Sequence, residues 1–169
     1  VWVGDGEKRG DMENLIKTMG LSDSVKIILR GAVGKNRQDI LRLFSLADIY
    51  VLPSYAEGLP GAMLEAMALR KAIVASKVNA VPEAIENRVT GLLATAGNAT
   101  EFANAILELS KDDALRETLA ENAQTKAFND FTEKRYAEVH IDFYERAFNA
   151  RQNSVNDKRQ IKTTNRRLT

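Results

Sequence analysis

Cysteine is absent from these 169 residues. That excludes disulfides and thiol nucleophiles, and it fits a cytoplasmic chain. Histidine occurs once, at His140 on a late helix, where it reads as an exposed or partly packed side chain and not as a base. No His/Cys/Asp cluster has metal-ligand spacing, and no Asp-x-Asp pair is present, so neither a structural nor a catalytic metal is expected. No apolar run approaches eighteen residues, which excludes a membrane-spanning helix. No secretory signal is visible.

Hydrophobic residues make up 44% of the chain and charged residues 28%, the balance of a globular domain with a real core. The net charge of +1 conceals an asymmetry. Six of the 24 basic residues (Arg151, Lys158, Arg159, Lys162, Arg166, Arg167) and one of the 23 acids (Asp157) follow Ala150, leaving 18 and 22, or −4, for the body. A body of that charge is no nucleic-acid binder. Residues 151–169 lack apolar periodicity and are expected to form a basic, disordered tail. A solvated terminus explains the tail more simply than attraction to an anionic membrane surface. The first residue is Val1, inside a strand-like run, so the chain is expected to be a fragment of a longer protein.

Strands and helices alternate along the body. Val1-Trp2-Val3 ends a strand, closed by Gly4-Asp5-Gly6. Met12, Leu15, Ile16 and Met19 recur at helical spacing, with Gly20 placed as a C-terminal cap. Val25 to Leu29 is a strand, and Gly31-Ala32-Val33 the turn after it. Ile40, Leu41, Phe44 and Ala47 mark a second helix. Further strands follow at Ile49–Leu52, Ala72–Ala75 and Gly91–Ala94, and Pro82 suits the first position of a short helix. From Thr100, a plausible N-cap, the pattern is helical: Phe102, Ile106 and Leu109; then Leu115, Leu119 and Ala123; then Tyr136, Val139, Phe143 and Ala147 behind the cap Thr132. This order predicts an α/β fold, a Rossmann-like, mostly parallel sheet with helices on both faces. Ligands of such sheets bind at the carboxyl ends of the strands.

The densest chemistry lies from Ser54 to Leu69. A strand stops at Pro53, a Gly/Pro turn follows, and then a helix rich in Ala, Leu and Met. Glu57 falls at the mouth of the turn and Glu65 in the second turn of the helix. Such a turn leaves backbone N–H groups and a positive helix end facing outward, which suits a phosphate. Carboxylates accept vicinal hydroxyls. Taken alone, however, Glu57 and Glu65 read equally well as solvated charges at a helix start.

In context the stretch is more specific. Ala47-Asp48-Ile49-Tyr50-Val51-Leu52-Pro53-Ser54, then Glu57-Gly58-Leu59-Pro60-Gly61, then Leu64-Glu65-Ala66-Met67-Ala68 resembles the retaining glycosyltransferases of the GT-B fold, in the large family-4 class. Their nucleotide-binding domain carries a Glu, seven residues, Glu motif in this setting. Val3-Gly4-Asp5-Gly6, Lys71 to Ala75, Val81-Pro82-Glu83-Ala84-Ile85 and Thr90 to Leu93 follow in family order, so the resemblance covers residues 1–150. It implies the C-terminal, donor-binding half of a GT-B fold lacking its first strand. It also implies transfer of a hexose from a UDP- or GDP-sugar to a polysaccharide or lipid-linked acceptor with retention. No cofactor would be permanently bound. Glu57 would be the catalytic contact near the reacting carbon, and Glu65 would take the ribose hydroxyls. The backbone of Gly58, Leu59 and Gly61 would meet sugar hydroxyls and the distal phosphate, while Pro60 has no N–H to give. Leu64 would pack near the ribose, Gly31 and Val33 would border the base, and Gly4 and Gly6 would line the same edge.

Three departures carry expectations of their own. The family neutralises the diphosphate with an Arg and a Lys that follow an earlier strand. Lys8, Arg9, Lys35 and Arg37 are near in sequence but match neither, so the fragment alone is expected to be inactive. An N-terminal acceptor domain is likewise expected to lie outside this stretch. The family's first strand lies centrally, so two strand edges should remain unpaired here, which allows pairing with another copy. Asn79-Ala80 stands where the family often has Gly-Gly. The resemblance places such a protein in the cytoplasm, with room for contact at the inner face of the membrane. A non-catalytic sugar-nucleotide module and a nucleotide-sugar epimerase are the rival readings. A dinucleotide dehydrogenase is poorer, because Gly4-Asp5-Gly6 lacks the third glycine of its motif.

Overall fold

The computed structural model of the chain describes the backbone of residues 1–34 and 36–165, and the side chains of these except 150 and 152–165. Lys35, Arg166 and Arg167, named above for their charge, lie outside the described residues. The chain divides into two units, Val1–Gln124 and Thr125–Thr169, with the boundary inside one helix.

The first unit holds two parallel sheets. One pairs β1 (Trp2–Val3) with β2 (Ile27–Ile28), in the register Trp2 to Ile27. The other has the order β3 (Ile49–Leu52), β4 (Ala72–Ser76), β5 (Leu92–Ala94). Ile49 lies beside Ala72 and Val74 beside Leu92. All ladders are parallel, as alternation of strand and helix requires. Among the described residues β1, β2, β3 and β5 each pair with one neighbour only, so open edges remain, those of β1 and β3 being the pair expected where the family's central strand would lie.

The helices of this unit are α1 (Arg9–Thr18), α2 (Arg30–Val33), α3 (Arg37–Ser45), α4 (Gly61–Ala68), α5 (Val81–Ala84) and α6 (Ala99–Lys111), followed by α7 (Asp113–Asp130), which carries the unit boundary. All five residues of β4 are buried, so both of its faces are covered. Ala72 and Val74 pack with Leu92, Ala94, Phe102 and Leu109 on one side. On the other, α4 contributes the fully buried Met63, Ala66 and Met67. Gly91 permits the close approach beside β4: an added Cβ there would stand 2.9 Å from the Ile73 carbonyl oxygen and 3.0 Å from Ile85.

Several local expectations change. The Gly31-Ala32-Val33 turn is one turn of helix, α2. The cap of α6 is Asn98, whose side chain accepts from the Glu101 N–H, and Thr100 already lies inside the helix. The helix at Pro82 begins one residue earlier, at Val81; a missing N–H is harmless anywhere in that first turn. The α1 stripe is not a buried one: Leu15 and Met19 are exposed, because two-residue strands offer it little surface. Gly20, at φ +69°, caps α1 as expected, donating to the Lys17 carbonyl.

In the second unit, α8 (Glu133–Asn165) starts behind Thr132, whose hydroxyl accepts from the Arg135 N–H. Its aromatic stripe is exposed, not buried: Tyr136, Phe143, Tyr144 and Phe148 all face solvent. The His140 ring lies 3.9 Å from that of Tyr136, and its Nδ1 sits 2.8 Å from the Tyr136 carbonyl oxygen. The backbone of residues 151–165 is helical where a structureless tail was expected. Arg, Lys and Gln are good helix formers, and extending an existing helix avoids the cost of nucleating one.

Candidate functional site

The turn from Pro53 to Pro60 leaves β3 and enters α4 with Gly61 as its first residue. Pro60 ends the turn in extended conformation and no side chain caps the helix. Glu65 is therefore in the second turn, as its spacing predicts.

Glu57 is half-buried and held from both ends. The Ser54 hydroxyl donates to its Oε1 at 2.7 Å, and the Asn79 side-chain amide donates to its main-chain oxygen at 2.8 Å. Asn79 follows β4 and has φ +42°, a left-handed conformation that asparagine tolerates better than most residues. It thus fills a glycine-like backbone role while its side chain ties the turn after β4 to the turn after β3. The Tyr50 phenol lies close by. Burial first, and the Glu57 charge second, push it above its ordinary value.

Glu65 has its side chain one-fifth exposed and forms an ion pair with Arg37, the first residue of α3. The start of α3 is fixed by a reciprocal cap: Asn36 accepts from the Asp39 N–H at 3.1 Å, and Asp39 accepts from the Asn36 N–H. Three segments thus meet, each following a different strand: α3 after β2, the Glu57 turn after β3 and Asn79 after β4.

Gly58 and Gly61 stand in open space. An added Cβ at either would meet nothing within 4 Å, and neither has positive φ. Neither packing nor backbone geometry demands glycine there, so the turn presents bare main chain outward. Leu59 is exposed and Leu64 partly covered. Gly31 also has nothing within 4 Å of an added Cβ, and Val33 ends α2. Gly4 and Gly6 line a separate cavity of about 170 Å³ with Trp2, Asp5, Met12 and Ile27, which none of the residues from Glu57 to Leu64 lines. Glu83 is exposed in the first turn of α5, an ordinary place for an acid. Among the described residues, no group of three His, Cys, Asp or Glu could hold a metal ion.

Sequence reasoning placed the two glutamates but not the residues that hold them. Arg37 and Asn79 lie 28 and 22 positions away from their partners, beyond any local spacing. The signals present were a cation at a capped helix start and an asparagine where a glycine is usual.

Residues 1–126 match the family model described as glycosyl transferases group 1. The chain is 42% identical over 110 residues, 65% of its length, to the N,N'-diacetylbacillosaminyl-diphospho-undecaprenol alpha-1,3-N-acetylgalactosaminyltransferase of Campylobacter jejuni. It is 40% identical over 123 residues, 73% of its length, to the alpha-D-kanosaminyltransferase of Streptomyces kanamyceticus. It spans 29% and 31% of those two proteins. Its fold is similar to the structure of Anabaena HepE in complex with UDP-glucose, with a TM-score of 0.71, 30% identity, 83% of this chain and 40% of that one. Sucrose-phosphate synthase from Thermosynechococcus elongatus gives 0.72 and 28%, over 88% of this chain and 38% of that one. The α/β architecture with parallel sheets is the GT-B type, and the chain belongs to the group 1 glycosyl transferases.

Proposed function

We propose that this chain is the donor-binding half of a retaining glycosyltransferase that takes a hexose from a nucleoside diphosphate sugar. The observation that carries the reading is the Glu57-to-Glu65 unit: two anchored carboxylates around a turn whose glycines the protein's own packing does not require. Glu65 accepts hydrogen bonds from the two ribose hydroxyls. Gly58, Leu59 and Gly61 offer N–H groups to sugar hydroxyls and the distal phosphate, where the start of α4 favours negative charge. Leu64 packs by the ribose. Gly31 and Val33 border the base, and Gly4 and Gly6 flank the donor edge.

Glu57 lies beside the anomeric carbon. In the reaction the bond from that carbon to the phosphate oxygen breaks and a bond to the acceptor oxygen forms on the same face. The leaving phosphate takes the acceptor's proton. The retained configuration therefore needs no enzyme nucleophile, and Glu57 acts by stabilising positive charge that develops at the sugar.

UDP is the favoured nucleotide, because the similar HepE structure holds UDP-glucose, with GDP the alternative. The acceptor is a glycan or lipid-linked sugar, in keeping with the diphospho-undecaprenol in the Campylobacter relative's name. A lipid-linked acceptor places the protein at the cytoplasmic membrane face. No residue of the chain matches the family's diphosphate-binding Arg and Lys, so by itself the chain is expected to turn over little.

Saturation-transfer NMR with UDP, GDP and ADP tests the reading. One nucleotide binds the chain, and Glu65→Gln loses that binding. Equal binding by the variant removes Glu65 from the ribose site. A chain that binds none of the three overturns the nucleotide assignment.

A further inference from the structure

We infer that Arg37 is a positioning residue of the nucleotide site, acting through the Glu65 carboxylate. The inference rests on the assignment of Glu65 to the ribose. Arg37 is placed by the capped start of α3. The acid on its own helix, Asp39, is already engaged by the Asn36 N–H and by Arg42 at 3.4 Å. Arg37 instead pairs across to Glu65, on a different helix that packs against α3. The two side chains differ in exposure: 66% for Arg37 and 20% for Glu65. The guanidinium thus stands at the outer side of a mostly covered carboxylate.

The closest approach is to one carboxylate oxygen, Oε1. A carboxylate has two oxygens with about four lone-pair sites, so a single guanidinium partner leaves acceptor capacity for hydroxyl donors. A guanidinium is planar and directional, so it fixes the plane of the carboxylate it holds better than a point charge would. A free glutamate side chain loses rotamer freedom when it is ordered on a ligand. With Arg37 in place that ordering is already made before the ribose arrives, and binding is strengthened by preorganisation.

The test separates positioning from plain attraction between Arg37 and a phosphate. Titrations use whichever of UDP, GDP and ADP binds the chain, and the matching uncharged nucleoside. Arg37→Gln is expected to weaken both ligands several-fold, because the ribose contact is common to them. Arg37→Lys restores part of the loss. Circular dichroism melts check that each variant keeps the fold. Nucleoside affinity unchanged or raised in Arg37→Gln overturns the inference, and so does a loss confined to the diphosphate. Failure of the wild-type chain to bind any nucleotide sinks the nucleotide reading itself and this inference with it.

Discussion

At the scale of single residues, Asn79 does two jobs that can be separated. Its backbone holds a left-handed turn, and its side chain fixes the main chain at Glu57. Asn79→Gly keeps the first and removes the second. Loss of one such hydrogen bond costs about 0.5–1.5 kcal/mol in stability, so the fold survives. If Glu57 serves the sugar and Glu65 the ribose, the variant weakens UDP-glucose while leaving UDP alone unchanged. Calorimetry of the two ligands on the two proteins reads the difference, and an equal change in both contradicts the division of labour. Gly91 is the opposite kind of residue, fixed by packing. The Cβ of Gly91→Ala would press on the Ile73 carbonyl, a backbone atom that moves only with β4. Overpacking of this sort costs about 1–3 kcal/mol, visible as a lowered melting temperature.

At the scale of elements, the start of α6 shows how a cap makes stability depend on pH. Glu101 accepts from the Thr95 N–H at 2.7 Å and from the Asn98 amide at 2.7 Å, while its own N–H donates to Asn98. The Thr95 N–H above all holds the carboxyl below its ordinary value. A value lower in the folded chain than in the unfolded one means stability that is complete above the unfolded value and lost as pH falls through the folded one. Glu101→Gln should therefore melt earlier than wild type at pH 7, and the gap should narrow on titration to about pH 3. The cap was legible in outline, since a helix was expected from Thr100, but Asn98, Thr100 and Glu101 stand too close for spacing to choose between them. The strands, their order and the Glu57 and Glu65 positions were all readable, because each is written within a few consecutive residues. What periodicity could not tell was burial. The Met12-to-Met19 stripe looks like Phe102, Ile106 and Leu109 in sequence, yet only the latter meets a covered sheet face. That depends on how much sheet stands opposite, which is a property of the whole fold. Arg37 and Asn79 escaped for a related reason: their partners are set by topology.

At the scale of the molecule, the core is unevenly placed. Among the described residues every buried one lies between Met63 and Ala127. Before Met63 the chain forms β1, β2, α1, α2, α3 and β3 without burying a single residue completely. Apolar burial is the main source of folded-state stability, and segments poor in it open at lower free energy than the core. Residues 1–34, in a two-stranded sheet of two-residue strands, should then exchange amide hydrogens faster than residues 72–94, where β4 is paired on both sides. Native-state exchange read by mass spectrometry compares the two directly. Equal protection would mean that the two sheets open as one cooperative unit, contrary to the division of the core. The same experiment reports on the open edges of β1 and β3. An edge that pairs with a second copy gains hydrogen bonds only when copies meet. Protection of residues 1–34 and 49–52 that rises with protein concentration, while that of residues 72–94 stays constant, assigns those edges to self-association. Protection independent of concentration leaves the edges open in solution and rules out pairing between copies.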